Sequence, residues 1–307
     1  QQSQTKTHST TANKTYYSSF KMYSNMNMIP TCASVEDVIS SVEAMRRQEQ
    51  ETYHCEDYLY TSSRGAPSRG PLAADVECRT KMAEWCYQVV DFCRFNRETV
   101  GIAMDMLDRY LMASPAAIED RKIFQLAAMT CLYTAVKVHE PEAMEPKTIS
   151  GLSRGAYTVE QVEEMERQIL VAIKWRVNPP TALSFVHHFL ALTQVDASEL
   201  MDMAKFQTEL AVSEYALAGI PKSTIALCAL ANAGLPNTDL QRISQVAQIA
   251  IDANVIRTQE TLYNAMNSNA TVVQAQPATT EIVGEHKTTQ AHSSGRTKGS
   301  PRCAADY

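Results

Sequence analysis

Residues 121–137, RKIFQLAAMTCLYTAVK, carry apolar or small side chains on nearly every side of a helical wheel. A surface helix keeps one apolar stripe, so a helix apolar all round has to be wrapped by others. Ile123, Leu126, Ala127, Met129, Cys131, Leu132, Ala135 and Val136 leave no wide polar face. The stretch is nevertheless shorter than the ~20 apolar residues needed to cross a bilayer. It is predicted to be the central post of a helical bundle. With Arg121 and Lys122 at one end and Lys137 at the other, the post should surface at both ends, and function is sought there.

A chain of 307 residues suits one large domain or two of ordinary size. Its hydrophobic content of 45% supplies real cores, and only 10 glycines beside abundant Ala, Met, Leu and Gln favour helix over sheet. The net charge of −6 argues against a generic nucleic-acid surface, because phosphate binding needs a basic face. Eight cysteines include no Cys-x-x-Cys pair. Cys78, Cys86 and Cys93 fall on one side of a helix, so they read as buried free thiols in a reducing compartment rather than as metal ligands or disulfides. His187 and His188, being adjacent, point to different sides of a helix and read as no shared metal site. The first thirty residues hold no apolar core of signal-peptide length, so secretion is not expected. The chain opens on Gln, and an upstream start is expected.

Residues 1–33 are polar and without period, and are read as a disordered lead-in. Residues 34–72 are read as an N-terminal helix followed by a linker. Ser34 and Asp37 start the helix, Val35, Val38, Ile39, Val42 and Met45 share one face, and SSRGAPSRGPL at 62–72 breaks it. The first unit, 73–178, shows apolar stripes at Met82, Trp85, Val89 and Phe92, then at Val100, Met104, Leu107 and Leu111. The post comes third and a short piece near Ile149 and Leu152 fourth. A fifth helix opens with the capping box Thr158/Gln161 and carries Val162, Met165, Ile169 and Ile173. Asn178-Pro179-Pro180 stops it.

The scheme then repeats over 179–266. An amphipathic segment covers 181–193, a long helix capped by Asp196 and Glu199 reaches to about Ala218, and Pro221 opens a second all-round apolar stretch that Gly234 ends. Leu240, Ile243, Val246, Ile249 and Ile251 are read as a fourth helix, and 255–266 as a fifth. Residues 267–307 are read as a disordered tail. The expectation is an all-α chain of two five-helix bundle repeats, each around a central apolar third helix, with an extra N-terminal helix.

RTKMAEWCYQVV, ETVGIAMDMLDRYL, RKIFQLAAMTCLYTAVK and VEEMERQILVAIKWRV, in this order and spacing, resemble the cyclin box of the cyclins, the regulatory subunits of cyclin-dependent kinases. The resemblance covers 79–190 well and 191–266 loosely. Asp108-Arg109-Tyr110-Leu111, the Lys ending the third helix and Met165-Glu166 inside the fifth are specific together. IKWRVNPPTALSFVHHFL at 173–190 is most similar to G1-type, D-like cyclins.

The resemblance implies a cyclin fold and a cyclin-dependent kinase as partner. It implies that Lys137 and Glu166 grip the kinase, with Val138 and Leu170 as apolar neighbours. It implies that Arg79 and Asp108 form a buried ion pair between the first two helices. Met82, Trp85, Gln88, Phe124 and Gln125 correspond to the shallow patch that docks substrates and inhibitors carrying an Arg-x-Leu motif. Two departures are visible: Lys81 stands where an aliphatic residue is usual, and His139-Glu140 replaces an acidic pair. Without the resemblance, Lys137 reads as a helix-end cation favoured by the macrodipole, Glu166 as a solvent-facing residue and Trp85 as core.

No P-loop, dinucleotide fingerprint, His-Glu-x-x-His or Gly-x-Ser-x-Gly occurs. The chain is therefore expected to catalyse nothing itself and to need no cofactor or metal, with no membrane and no direct nucleic-acid partner. The expected function is to bind and allosterically activate a cyclin-dependent Ser/Thr kinase controlling cell-cycle progression, in the nucleus and/or cytoplasm. The alternatives are a cyclin-fold scaffold or a transcription-factor-like adaptor without kinase activation. Tyr53-His54-Cys55-Glu56-Asp57 departs from the Leu-x-Cys-x-Glu motif of D-type cyclins at two positions. Arg69-Gly-Pro-Leu72 fits only the minimal Arg-x-x-Leu of a destruction box. Neither is assigned a role.

Overall fold

The computed structural model describes residues 34–59, 70–196 and 198–274, with side chains described to 268. The expected lead-in at 1–33, most of the linker with Arg69, and the tail from 275 lie outside the described residues. Within them the chain forms helices and no strand. They are α1 (Val35–Glu51), α2 (Val76–Cys93), α3 (Glu98–Ala113), α4 (Arg121–His139), α5 (Pro146–Leu152), α6 (Val159–Ala172), α7 (Ala182–Ala191), α8 (Ser198–Ser213), α9 (Lys222–Ala233), α10 (Asn237–Val246) and α11 (Ala253–Gln274), with 3-10 turns at Pro115–Ile118 and Tyr215–Leu217.

Local chemistry sets the boundaries. The Ser34 hydroxyl accepts from the Asp37 N–H at 3.2 Å while the Asp37 carboxylate accepts from the Ser34 N–H at 3.1 Å. Thr158 and Gln161 close the same reciprocal box on α6. Gly234 ends α9 at φ +95°, a left-handed conformation that costs a residue without Cβ little.

α4 is the post of the first repeat. From 126 to 136 every residue is buried, and the helix packs against α2, α3, α5 and α6. α9 does the same in the second repeat: residues 223–230 are all buried, against α7, α8, α10 and α11. Burying each Leu, Ile or Met in these posts is worth about 1.5–3 kcal/mol, which offsets the ordering of the helices around them. The fold is all-α, with two five-helix repeats and an additional N-terminal helix.

The structure corrects several boundaries. α8 stops at Ser213 instead of running to about Ala218. The Glu214 carboxylate accepts from the Ala216 N–H and starts a separate turn that aims Tyr215 inward. α10 stops at Val246, because the chain reverses through Gln248 at φ 51°. This leaves Ile249 buried and Ile251 exposed. α11 continues to Gln274, past the end at 266 read from the apolar period, since backbone hydrogen bonding propagates a helix after its buried stripe has ended.

The larger difference concerns the join between the repeats, where each core borrows from the other's part of the chain. Cys55, Tyr58 and Leu59, read as part of the lead to the linker, pack into the first core, and so do Tyr215 and Ala218. Gly219 allows this, because a Cβ there would stand 3.3 Å from the Cys55 carbonyl oxygen. Val38 and Val42 of α1 belong to the second core. α1 is anchored by Glu49, whose carboxylate accepts from the Ser223 N–H at 2.9 Å, the Ser223 hydroxyl at 2.7 Å and Arg46 Nη1 at 2.7 Å. Pro221 offers α9 no side-chain cap, so Glu49 supplies the anion at that helix N-terminus.

Arg79 and Asp108 meet at the centre of this join. Arg79 Nε and Nη2 donate to the two Asp108 oxygens at 2.9 and 2.7 Å, and Nη1 donates to the Val212 carbonyl of α8 at 2.9 Å. The Tyr58 hydroxyl donates to Asp108 Oδ1 at 2.7 Å, and the Tyr215 hydroxyl accepts from the Tyr58 and Leu59 N–H groups. Burial works against the Arg79 charge, but Asp108 more than compensates and holds its pKa above the ordinary arginine range.

Asp108→Ala strands the Arg79 guanidinium, a change that costs roughly 3–5 kcal/mol at buried sites and should lower the melting temperature by roughly 10 °C. An unchanged calorimetric melting curve would refute the central role of this pair. A second measurement tests the cysteines. Burial pushes the Cys55, Cys86 and Cys228 thiols up to about 12, and Cys131 well above its usual value, whereas Cys78 and Cys93 are half-buried. Since the thiolate is the nucleophile, peptide mapping after brief alkylation at neutral pH should find that, of the six cysteines among the described residues, Cys78 and Cys93 are modified first. The other four should react only on denaturation, and rapid native labelling of Cys86 or Cys131 would contradict the packing.

Candidate functional site

α4 surfaces at its C-terminal end beside α6, and Lys137 and Glu166 meet there. Lys137 Nζ donates to Glu166 Oε2 at 3.1 Å and to Oε1 at 3.2 Å, and the Thr134 hydroxyl donates to the same Oε1 at 3.2 Å. The Glu166 side chain is 13% exposed and that of Lys137 48%, so the acid is seated and the base stands over it. Burial disfavours the Lys137 charge, yet the hydrogen bond and attraction of Glu166 prevail and raise its pKa above the usual lysine value. Lys137 also lies 5.4 Å from the Tyr133 ring centroid.

The pair has an apolar rim. Val138 is exposed and Leu170 is half-buried. Val171 and Trp175, which the sequence reading did not single out, are 59% and 68% exposed. Trp175 is presented by two successive left-handed residues, Lys174 at φ 55° and Trp175 at φ 60°, and its N–H bonds back to the Leu170 carbonyl at 2.8 Å. That six-to-one bond is the Schellman closure of α6. The one sequence signal nearby was the Asn178-Pro179-Pro180 stop, which ends the helix beside Trp175 without reporting its exposure. The arrangement offers a charged pair whose outer face still has hydrogen-bonding capacity, with Val138 exposed beside Lys137 and Val171 and Trp175 exposed at the C-terminal end of α6.

The residues read as a docking patch lie differently. Met82, Trp85 and Phe124 are 2%, 0% and 1% exposed, inside the first core, with only Gln88 and Gln125 half-buried at the edge. The Gln125 side-chain oxygen Oε1 accepts from the Tyr157 hydroxyl at 2.7 Å. Lys81 pairs with Glu77 at 2.8 Å one helical turn away. The apolar members of the patch are therefore enclosed by α2, α3 and α4 and offer no surface, which corrects their reading as a shallow docking site. His139 and Glu140 also turn inward: His139 Nε2 bonds the Val177 carbonyl at 2.9 Å, and Glu140 accepts from the Asn96 N–H at 2.9 Å and from Thr99.

Of the two weak motifs, Cys55 is buried and Tyr53 lies under the Arg109 guanidinium at 4.8 Å, so that segment is engaged within the fold. Leu72 is exposed, while Arg69 lies outside the described residues. His188 Nδ1 bonds the Ser184 carbonyl at 2.8 Å, and burial lowers the His187 pKa. Among the described residues no group of His, Cys, Asp and Glu is placed to hold a metal, and no helix is long and apolar enough to cross a membrane.

Comparison with known proteins agrees with this architecture. The family profile "Cyclin, N-terminal domain" matches residues 40–178 and "Cyclin, C-terminal domain" matches 180–290. Among curated relatives, G2/mitotic-specific cyclin-B1 of Oryzias javanicus is 30% identical over 152 residues, 50% of this chain and 37% of that protein. Cyclin-A1-2 of Oryza sativa subsp. japonica is 28% identical over 156 residues, 50% of this chain and 32% of that protein. Cyclin-O protein A of Xenopus laevis is 30% identical over 164 residues, 50% of this chain and 44% of that protein. The chain thus spans less than half the length of each. A solved viral cyclin from herpesvirus saimiri shares the fold, with a TM-score of 0.56 and 16% identity over 75% of this chain and 96% of that one. With the two profiles following one another over both helical repeats, the chain belongs to the cyclin family.

Proposed function

We propose that this chain is a non-catalytic regulatory subunit that binds and allosterically activates a cyclin-dependent Ser/Thr kinase, acting in the nucleus and/or cytoplasm in control of cell-cycle progression. The observation that carries the reading is the Lys137–Glu166 pair at the end of the α4 post, seated between helices, with Val138 exposed next to Lys137 and Val171 and Trp175 exposed at the end of α6. In a protein kinase, activity requires a Lys–Glu ion pair that forms only when the kinase C-helix is in place. A rigid apolar face with a charged pair at its centre gives that helix a surface to dock on. Its differential affinity for the active arrangement shifts the kinase equilibrium. The G1-type, D-like subtype is proposed on residues 173–190 alone, whereas the relatives above are of B, A and O type.

Substrate recruitment through Met82, Trp85 and Phe124 is not part of the proposal, because their side chains are enclosed. That enclosure is the one observation favouring the second reading, a cyclin-fold scaffold without kinase activation. A kinase assay on the co-purified complex separates the two, since a scaffold would hold its kinase without raising phosphotransfer.

The exchange of Lys137→Glu with Glu166→Lys distinguishes an internal bridge from a kinase grip. As an internal bridge the pair is half-exposed and worth about 0–1 kcal/mol, and the swap restores its attraction. As a grip, each residue also faces its own partner groups, and truncating one side of a buried charged contact typically costs ~2–5 kcal/mol. The double exchange should keep helicity and melting temperature near the unmodified chain while kinase co-purification and activation are lost. Kinase binding retained by a folded double exchange would refute the assignment.

A further inference from the structure

The loop that carries Trp175 is held at every backbone position from 175 to 178. The Trp175 N–H bonds the Leu170 carbonyl at 2.8 Å and the Arg176 N–H bonds the Ile173 carbonyl at 3.1 Å, both at the end of α6. Beyond the helix the holders come from elsewhere in the chain. Arg109 of α3 donates from Nη2 to the Arg176 carbonyl at 2.8 Å, and His139 of α4 bonds the Val177 carbonyl through Nε2 at 2.9 Å. The Tyr53 hydroxyl, from the segment after α1, takes a hydrogen bond from the Asn178 backbone. Three successive residues are thus tied to three different parts of the chain.

These holders are themselves fixed. Arg109 is 8% exposed, gives Nε to Asp105 Oδ2 at 2.8 Å and lies 4.8 Å from the centre of the Tyr53 ring. His139 sits half-buried in the last turn of the α4 post. A carbonyl oxygen only accepts, so the proton of this bond belongs to His139 Nε2. The acidic residue usual at this position has no proton to give at neutral pH. His139 therefore supplies the loop with a donor that the usual residue lacks.

A surface carbonyl needs no such holder for its own sake, since water satisfies it. What the holders fix is the backbone that presents Trp175. Lys174 at φ 55° and Trp175 at φ 60° are left-handed, a conformation that bulky residues keep only where their surroundings over-determine it. The Trp175 residue they present is 68% exposed. Tryptophan is among the residues that dominate interfaces, and an anchor held before binding has less freedom to lose on binding.

We infer, resting on the kinase reading above, that His139 is a positioning residue for partner binding: with Arg109 and Tyr53 it clamps residues 176–178 and so presents Trp175 as a preformed apolar anchor for the kinase. His139 acts through the loop, and Trp175 makes the contact.

The chain holds two tryptophans, Trp85 buried and Trp175 exposed. The full chain labelled with 5-fluorotryptophan should therefore give two fluorine resonances, assigned with Trp175→Phe. His139→Leu and His139→Glu should each shift or broaden the Trp175 line and leave the Trp85 line and the melting temperature in place. His139→Gln, whose side-chain amide restores a donor, should return the unmodified spectrum. The kinase that co-purifies with the unmodified chain is then titrated against each variant. His139→Leu and His139→Glu should weaken binding roughly three- to tenfold, as loss of one hydrogen bond does. His139→Gln should stay within about twofold of the unmodified chain, and Trp175→Ala should weaken binding by at least about tenfold. Three results overturn the inference and leave the kinase reading intact: a Trp175 line unmoved in the folded Leu and Glu variants, an affinity unmoved by them or by Trp175→Ala, or a Gln variant that behaves like the Leu variant. Failure of the unmodified chain to co-purify a kinase refutes the kinase reading itself, and the inference with it.

Discussion

A guanidinium has five N–H donors and stays charged, so burying one obliges the fold to bring acceptors from wherever they lie in the chain. Arg79, with its side chain 2% exposed, collects Asp108 from α3 and the Val212 carbonyl from α8, and sits 5.7 Å from the Tyr215 ring. Asp108 in turn takes the Tyr58 hydroxyl. Three remote parts of the chain are thereby committed to one point. A folded first repeat with the second undocked would leave Arg79 Nη1 without its carbonyl and Tyr58 without Tyr215 above it. The network thus makes the two repeats fold against each other. Such a pair gives little net stability over an apolar substitute, and its value lies in the arrangement it forbids to be otherwise.

The posts were legible because a helix apolar on all sides admits few environments, and 121–137 and 222–233 have no others. The pair Arg79/Asp108 came from the resemblance, since neither charge is marked by any local period. Tyr58 and Tyr215 were invisible for a physical reason: they are 157 positions apart, and nothing at either place signals the other until the chain has closed. The docking patch failed differently. Met82, Trp85 and Phe124 sit at helical spacing on apolar stripes, and a stripe looks the same whether another helix or water covers it. Only the packing of α2 on α3 and α4 distinguishes the two. Trp175 was missed for the converse reason, because its exposure depends on two left-handed backbone residues that periodicity does not report.

The Lys137–Glu166 bridge is weak as a stabiliser, since water competes for an exposed ammonium and screens its charge. What it contributes is position. Glu166 is fixed by Thr134 from below and by Lys137 from the side, so its remaining lone pairs and the outward Lys137 donors point to a defined place on the surface. A partner that covers Val138, Val171 and Trp175 removes water from around the pair, and each hydrogen bond it makes there strengthens as the local dielectric falls.

The two repeats share an architecture but not this face, and the difference can be traced to the ends of their posts. α4 ends in Lys137, Val138 and His139, with Lys137 and Val138 in water. α9 has no basic residue in its last turn. Its Asn232 is turned inward, giving its amide protons to the Gln207 side chain on α8 and the Gln259 carbonyl on α11. Its opposite end is closed by Glu49 from α1. Ser223 at one pole of α9 and the Asn232 amide at the other are thus spent on holding the repeat and the N-terminal helix together. The second repeat therefore acts as the support that fixes α1 and Arg79, whereas among the described residues the end of α4 keeps a cation and an apolar side chain in water.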